Sequence, residues 1–257
     1  MRHFISGGFA FLVASSVASG QGVLLYDVFD LDTYDQVLDF NNNFFGVQNN
    51  IGIANTGQAF NQATSATLIY PGHSGLAKAD QASGYTPANP GINGNFGVHT
   101  AVNNTSAQIF AYANEQAEFA LATSFGYVEF SVSQPTQWSI AGNVWGTTQS
   151  APSGVSEAQY YIRLWDFFNN VAIIWDTGYA LNGNGDYNIN FSHGGTLAPG
   201  WYGYDYFTWS QHGGNAFSPG FVGGTSSGMT TTLTLVIPAP AASLPLAFFL
   251  VPRRRRR

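Results

Sequence analysis

Ala158-Gln159-Tyr160-Tyr161-Ile162-Arg163-Leu164-Trp165 alternates without a break. Ala158, Tyr160, Ile162 and Leu164 fall on one side of an extended chain, and Gln159, Tyr161, Arg163 and Trp165 on the other. Successive side chains of a strand point to opposite faces, so this pattern describes a strand with one face in a core and the other toward water. The same period recurs around it. Val128, Phe130 and Val132 alternate with Glu129, Ser131 and Ser133, and Tyr187, Ile189 and Phe191 alternate with Asp186, Asn188 and Asn190. Met229, Thr231, Leu233, Leu235 and Ile237 alternate with Thr230, Thr232 and Thr234. Sheets wet on one face are characteristically antiparallel.

The punctuation agrees. Asn169-Asn170, Asn182-Gly183-Asn184-Gly185 and Pro199-Gly200 separate consecutive strands, and such residues supply the backbone angles that turns need. No amphipathic stretch exceeds about twelve residues, so crossover helices for a parallel sheet are missing. The expected fold is all-β: an antiparallel β-sandwich of jelly-roll type, one domain over residues 23–237, with about eight to eleven strands. Residues 171–175 and 201–209 are apolar or aromatic at nearly every position, which predicts central strands under a loop. The first half is less regular. Residues 24–44 fit a strand from Leu24 to Phe29, yet Leu31, Tyr34 and Leu38 fall at helical spacing. Residues 41–106 are dominated by Asn, Gly, Gln, Ala and Thr, with Ser65 to Tyr70 as the plainest strand and Pro71-Gly72, Pro87 and Pro90-Gly91 marking turns beside long loops.

Both ends speak of export. Arg2 is the only charge before Asp27, and residues 4–17 form an apolar run. Ser16-Val17-Ala18 then fits a small-x-small cleavage site, so residues 1–20 read as a secretory signal peptide. With the ends set aside, fourteen acidic residues face only Lys78 and Arg163, leaving −12 on residues 23–237. That charge argues against nucleic acid, whose phosphates are met by clustered Lys and Arg, and suits solubility. There are no cysteines, hence no disulfides, thiolate metal sites or cysteine nucleophiles; stability must come from a core.

Catalytic and metal patterns are weak. Gly72-His73-Ser74-Gly75-Leu76 resembles a nucleophile elbow but lacks its closing glycine. His99, His193 and His212 are isolated and read as exposed loop residues. Asp27, Asp30, Asp32, Asp35 and Asp39 read as a solvated acidic face rather than a calcium site. Asn182, Asn184 and Asp186 resemble the start of a calcium loop, but His193 stands where a bidentate glutamate is required, so a hairpin turn is the better account. Glu115, Glu118, Glu129 and Glu157 show no paired spacing of the kind glycoside hydrolysis needs. No cofactor is implied. The best site candidate is aromatic. If Tyr202, Tyr204 and Tyr206 face the core, Trp201, Asp205 and Trp209 lie outside, Tyr161 and Trp165 extend that surface, and Arg163 is placed to pair with Asp205. Flat exposed rings beside acids and amides suit a polysaccharide. The competing account packs these rings in a core, in a chain that is 16% aromatic.

The C-terminus carries the one specific motif. Pro238-Ala239-Pro240, an apolar segment over 241–252, and Arg253, Arg254, Arg255, Arg256 and Arg257 together resemble the PEP-CTERM sorting signal of Gram-negative-type bacteria, with Ala239 where the family has glutamate. The resemblance implies handling by a membrane-bound exosortase, cleavage near Pro-x-Pro, and delivery to the cell surface or extracellular matrix. Leu197-Ala198-Pro199-Gly200-Trp201-Tyr202 is also similar to a turn common in the sandwich bodies of such proteins. As a helix the twelve apolar residues would rise about 18 Å against a ~30 Å hydrocarbon layer, and Pro245 interrupts them. Transient membrane contact followed by removal fits that segment better than permanent anchorage. Three functions follow: a non-catalytic exported surface or matrix protein, a carbohydrate-binding module, and a secreted hydrolase.

Overall fold

A computed structural model describes residues 22–38, 44–54, 57–71, 73–86, 95–111, 117–149, 154–214 and 223–236. The expected signal peptide, the tail, Asp39 and Glu115 lie outside those residues. Within them are thirteen strands: β1 (Gly22–Leu38), β2 (Phe44–Ala54), β3 (Phe60–Tyr70), β4 (His73–Thr86), β5 (Asn95–Phe96), β6 (Val98–Ala111), β7 (Ala117–Val132), β8 (Thr136–Thr148), β9 (Gly154–Asp166), β10 (Val171–Leu181), β11 (Tyr187–Leu197), β12 (Gly200–Gly214) and β13 (Gly223–Val236). One sheet runs β10-β9-β12-β7-β1-β2, with β5 added against the start of β1; the other runs β11-β8-β13-β6-β4-β3. All pairings are antiparallel. The chain is an antiparallel β-sandwich, and its wrapping is jelly-roll-like, because the chain changes sheet from β2 to β3, β4 to β5, β5 to β6, β6 to β7, β7 to β8, β8 to β9, β10 to β11, β11 to β12 and β12 to β13.

The alternation that announces the fold also builds the core. Ala158, Tyr160, Ile162 and Leu164 of β9 are buried, as are Val128, Phe130 and Val132 of β7 and Met229, Leu233 and Leu235 of β13. Tyr202, Tyr204 and Tyr206 point inward beside them. Several rings owe their seats to a glycine directly across the ladder. Tyr206 opposes Gly126, Tyr187 opposes Gly146, and Trp145 opposes Gly228; in each pair a Cβ on the glycine would collide with the ring. An aromatic laid over a cross-strand glycine covers backbone that the glycine leaves bare.

Sequence and structure part company in several places. There are thirteen strands rather than eight to eleven, because residues 41–106 hold β2, β3, β4, β5 and β6. Their small polar residues fill a sheet without giving a hydrophobic alternation. Residues 24–38 are strand throughout, and Leu31 is buried by period two. Residues 201–209 are central as expected, but 171–175 belong to an edge strand, β10, with Val171, Ile173 and Trp175 exposed. Ile189, on the opposite edge strand β11, is exposed rather than buried. Asn182-Gly183-Asn184-Gly185 does not close a hairpin, since β10 and β11 lie in different sheets. Asn182 Oδ1 accepts the Ser156 amide at 2.7 Å and Asp186 Oδ1 the Thr148 amide at 3.0 Å, so those oxygens hold the crossing in place.

The histidines and acids are also redistributed. His99 and His212 are fully buried on strands, not exposed in loops. The aspartates of β1 divide by period two. Asp27 and Asp35 point inward, where Asp27 accepts from the Tyr85 hydroxyl at 2.9 Å and Asp35 from the Leu68 amide at 2.7 Å. Asp30 and Asp32 point outward and are met by the amides of Asn50 and Gln48. Among the described residues no three acidic or histidine side chains gather as a metal site, and no helix is long and apolar enough to cross a membrane.

Candidate functional site

The outer face of the β10-β9-β12-β7 sheet gathers a group of aromatic residues that the core does not take. Register fixes the layout. Trp175 stands across from Arg163, Arg163 across from Asp205, and Asp205 across from Tyr127. Two residues along, Trp165 lies across from Gly203 and Gly203 across from Glu129. On the other side of the central row, Tyr161 faces Phe207, their rings stacked at 5.2 Å, and Trp209 follows. At the far end Phe167 packs on Trp201 at 4.7 Å. From Trp201 to Trp209 the strip runs about 27 Å at 3.4 Å per residue.

The strip is reachable from solvent. Trp175 is 63% exposed and Trp201 46%; Tyr161, Trp165, Phe207 and Trp209 are half-buried against one another. Of the residues expected on a carbohydrate face, Tyr161, Trp165, Trp201 and Trp209 all lie on this surface. Asp205 also points to this side, but it is only 3% exposed. Arg163 covers it, donating from Nε to Oδ1 at 3.0 Å and from Nη2 to Oδ2 at 2.5 Å. Two parallel bonds of this kind fix a guanidinium in orientation as well as charge. Trp165 and Trp175 flank the guanidinium at 5.4 and 5.6 Å, within cation–π range.

Electrostatically the centre is neutral and stiff. Burial pushes the Asp205 carboxyl up, and the hydrogen bonds and charge of Arg163 pull it back in part; the Asp205 hydrogen bond raises Arg163 in turn. The bidentate geometry keeps the pair ionised at neutral pH. Burial, with the hydrogen bond to Glu129 second, raises Tyr127, so its hydroxyl keeps its proton and donates a hydrogen bond to Glu129 Oε2 at 2.7 Å. Beside the pair is a notch of about 110 Å³ lined by Tyr127, Arg163, Trp165, Phe167, Gly203 and Asp205.

Trp175, Phe167, Tyr127 and Gly203 are site residues that the sequence pattern does not single out. Trp175, Tyr127 and Gly203 come from other strands, where only the register brings them beside Arg163, and Phe167 follows directly on the end of β9. Two carboxylates do share this face: Glu129 lies diagonally from Asp205 across the β7–β12 ladder, a relation that sets residues about 7–8 Å apart, with their Cβ atoms somewhat closer. Asp205 is committed to Arg163, however, and is closed to solvent. Glu157 sits on β9 with the Gln159 amide on its carboxylate. Ser74 and Gly75 of the elbow-like stretch are part of β4, directly after the Pro71 turn, with no helix behind them. His193 reaches Asp176 Oδ2 at 3.4 Å, and Asp176 Oδ1 accepts from Tyr160 at 3.1 Å, at the edge where β10 and β11 meet.

No protein-family model matches the chain, and no curated protein matches it. Among solved structures, that of the infectious bursal disease virus Gt strain is similar at 11% identity over 84% of this chain and 73% of that one, with a TM-score of 0.22. The VP2 subviral particle of infectious bursal disease virus is similar at 12% identity over 85% and 72%, with a TM-score of 0.21. At that level of superposition the fold rests on the chain's own strand pairing.

Proposed function

We propose that this is an exported, non-catalytic β-sandwich protein of the cell surface or extracellular matrix, and that it works there by binding polysaccharide on the outer face of the β10-β9-β12-β7 sheet. The aromatic strip around the Arg163–Asp205 pair is the observation that carries this reading. Sugar rings present apolar C–H faces that stack on aromatic rings, and ring hydroxyls need fixed polar partners between them. Trp201, Trp165, Tyr161 and Trp209 supply the first along one line; Arg163 and Glu129 supply the second. A long open strip suits a polymer, whereas a closed pocket would suit a small substrate.

The non-catalytic part of the reading is supported by the locked state of Asp205. Glycoside hydrolysis needs one carboxyl free to give a proton and another free to attack or to activate water, and a carboxylate with both oxygens on a guanidinium does neither. Replacing Trp201 and Trp209 together by alanine is expected to abolish retention on polysaccharide beads while leaving the melting temperature within a few degrees, because both rings lie outside the core. Retention unchanged in the double variant, or no retention of the natural protein, would sink the binding reading.

Delivery is proposed from the ends of the chain. The signal peptide of residues 1–20 and the sorting tail of Pro238, Ala239, Pro240 and the five arginines would route the protein through an exosortase-type enzyme, with the apolar segment touching the membrane only in passage. The mature protein is expected to lack the arginine block. Intact-mass measurement on protein recovered from its native cells checks this, and a mass that retains Arg257 counts against it.

A further inference from the structure

We propose, resting on the polysaccharide reading above, that the notch beside Arg163 is a subsite for an acetyl group, so that the ligand is an uncharged, acetylated polysaccharide. The notch has three aromatic walls, from Tyr127, Trp165 and Phe167, and a floor of bare backbone at Gly203. At about 110 Å³ it lies well under the ~300 Å³ at which pockets for whole small molecules begin; it accepts a substituent, while the sugar ring stays on the strip outside.

The walls decide which substituent. A hydroxymethyl oxygen could also accept from Arg163, but the group has no methyl to set against the three rings, which would be left without an apolar partner. A methyl group belongs there. One polar group borders the notch with donors to spare: Arg163 has five N–H bonds, and Asp205 takes one from Nε and one from Nη2. A carbonyl oxygen next to the methyl would accept from the remainder. Methyl plus carbonyl is an acetyl group, carried either as an amide or as an ester. A carboxylate substituent is disfavoured, because Asp205 already neutralises Arg163 and Glu129 stands beside Gly203 in the ladder. The surrounding domain is acidic as well.

Gly203 is the residue on which the subsite turns. A Cβ built there would lie 2.9 Å from Phe167 Cε2, 3.0 Å from Phe167 Cζ and 3.2 Å from Tyr127 Cε2, so even alanine fills the floor of the notch. The test uses the whole protein and four probes: a cello-oligosaccharide without acetyl groups, an N-acetylated chito-oligosaccharide of equal length, and O-acetylated glucomannan beside its alkali-deacetylated form. Binding is expected to be about tenfold tighter to an acetylated probe than to its plain counterpart. Whichever pair shows the preference tells amide from ester. Gly203→Ala is expected to erase the preference, so that an acetylated probe binds no more tightly than its plain counterpart. Saturation-transfer NMR on the natural protein, with the acetyl methyl receiving the strongest transfer, supports the subsite even if Gly203→Ala folds poorly. Equal binding of acetylated and plain probes overturns the subsite but not the strip. A preference that survives in a folded Gly203→Ala protein overturns it too, and no binding to any probe overturns both.

Discussion

Gly126→Ala is expected to cost about 3 kcal/mol or more of folding stability, at the upper end of what overpacking a core exacts. Gly126 lies in β7, directly across from Tyr206 of β12, and both strands are central in their sheet. A Cβ on Gly126 would overlap Tyr206 Cζ and Oη. The ring has nowhere to go: it is fully buried, and its hydroxyl is held by Gln81 at 3.2 Å and His99 at 3.1 Å. Relief would break those bonds or separate two central strands. Gly178→Ala is the control. It opposes Tyr160 in the same way, with 2.6 Å from the Cβ to Tyr160 Cε1, but it lies in the edge strand β10. That strand can shift outward, and a loss of about 1 kcal/mol is expected. Urea unfolding of the two variants checks the contrast. A Gly126→Ala protein that loses less than about 1 kcal/mol would mean that Tyr206 is not seated as described.

How much of this was legible beforehand follows from where apolar side chains were used. In β7, β9 and β13 one face is filled by Val, Ile, Leu, Phe and Met, so period two is printed in the sequence. In β3, β4 and β6 the inward positions include Thr64, Gln81, Ser83, Asn103 and Thr105, all buried. Hydropathy there gives no alternation, although the backbone alternates just the same. Some of these inward polar groups bond to side chains of the facing sheet or of the next strand. Thr105 meets Ser210 at 2.9 Å and Ser227 at 2.8 Å, and Ser124 donates to Gln81 at 3.3 Å. A strand whose core face is polar is invisible to periodicity until its partners are known.

The candidate site was half-legible for a related reason. Trp201, Trp209, Tyr161 and Trp165 share parity within their own strands, and the pairing of Arg163 with Asp205 required only that β9 and β12 be neighbours. Trp175 was hidden because Val171, Ile173 and Ile174 surround it, and continuous apolar sequence reads as buried on both faces. Gly203 was hidden because an absent side chain gives no signal until walls rise around it.

Stability is expected to fall by about 2–3 kcal/mol between pH 7.5 and 5.5, shared about equally by two buried histidines. Burial lowers His99 to about 3, with a hydrogen bond at Gly84 opposing it in part, and burial lowers His212 to about 4. In the unfolded chain both return to about 6.5. Between those values the unfolded state binds the protons and the folded state does not, so stability is complete above pH 7 and drains away as the pH falls through 6.5. Around His99 stand Tyr85, Tyr204 and Tyr206, none of which titrates in that window; His212 Nδ1 lies 3.1 Å from the Ser156 hydroxyl. The excess of carboxylates pulls the other way, since protonating them relieves repulsion, but ordinary carboxylates take up protons mainly below about pH 5. The window from 7.5 to 5.5 therefore isolates the histidines. His99→Gln keeps a polar end toward Tyr206 and cannot take the proton, so it should remove about half of the slope whatever it does to stability at pH 7.5. Adding His212→Gln should remove most of the rest. Urea midpoints across that range make the measurement, and a double variant as acid-sensitive as the natural protein would show that the protons are taken up elsewhere.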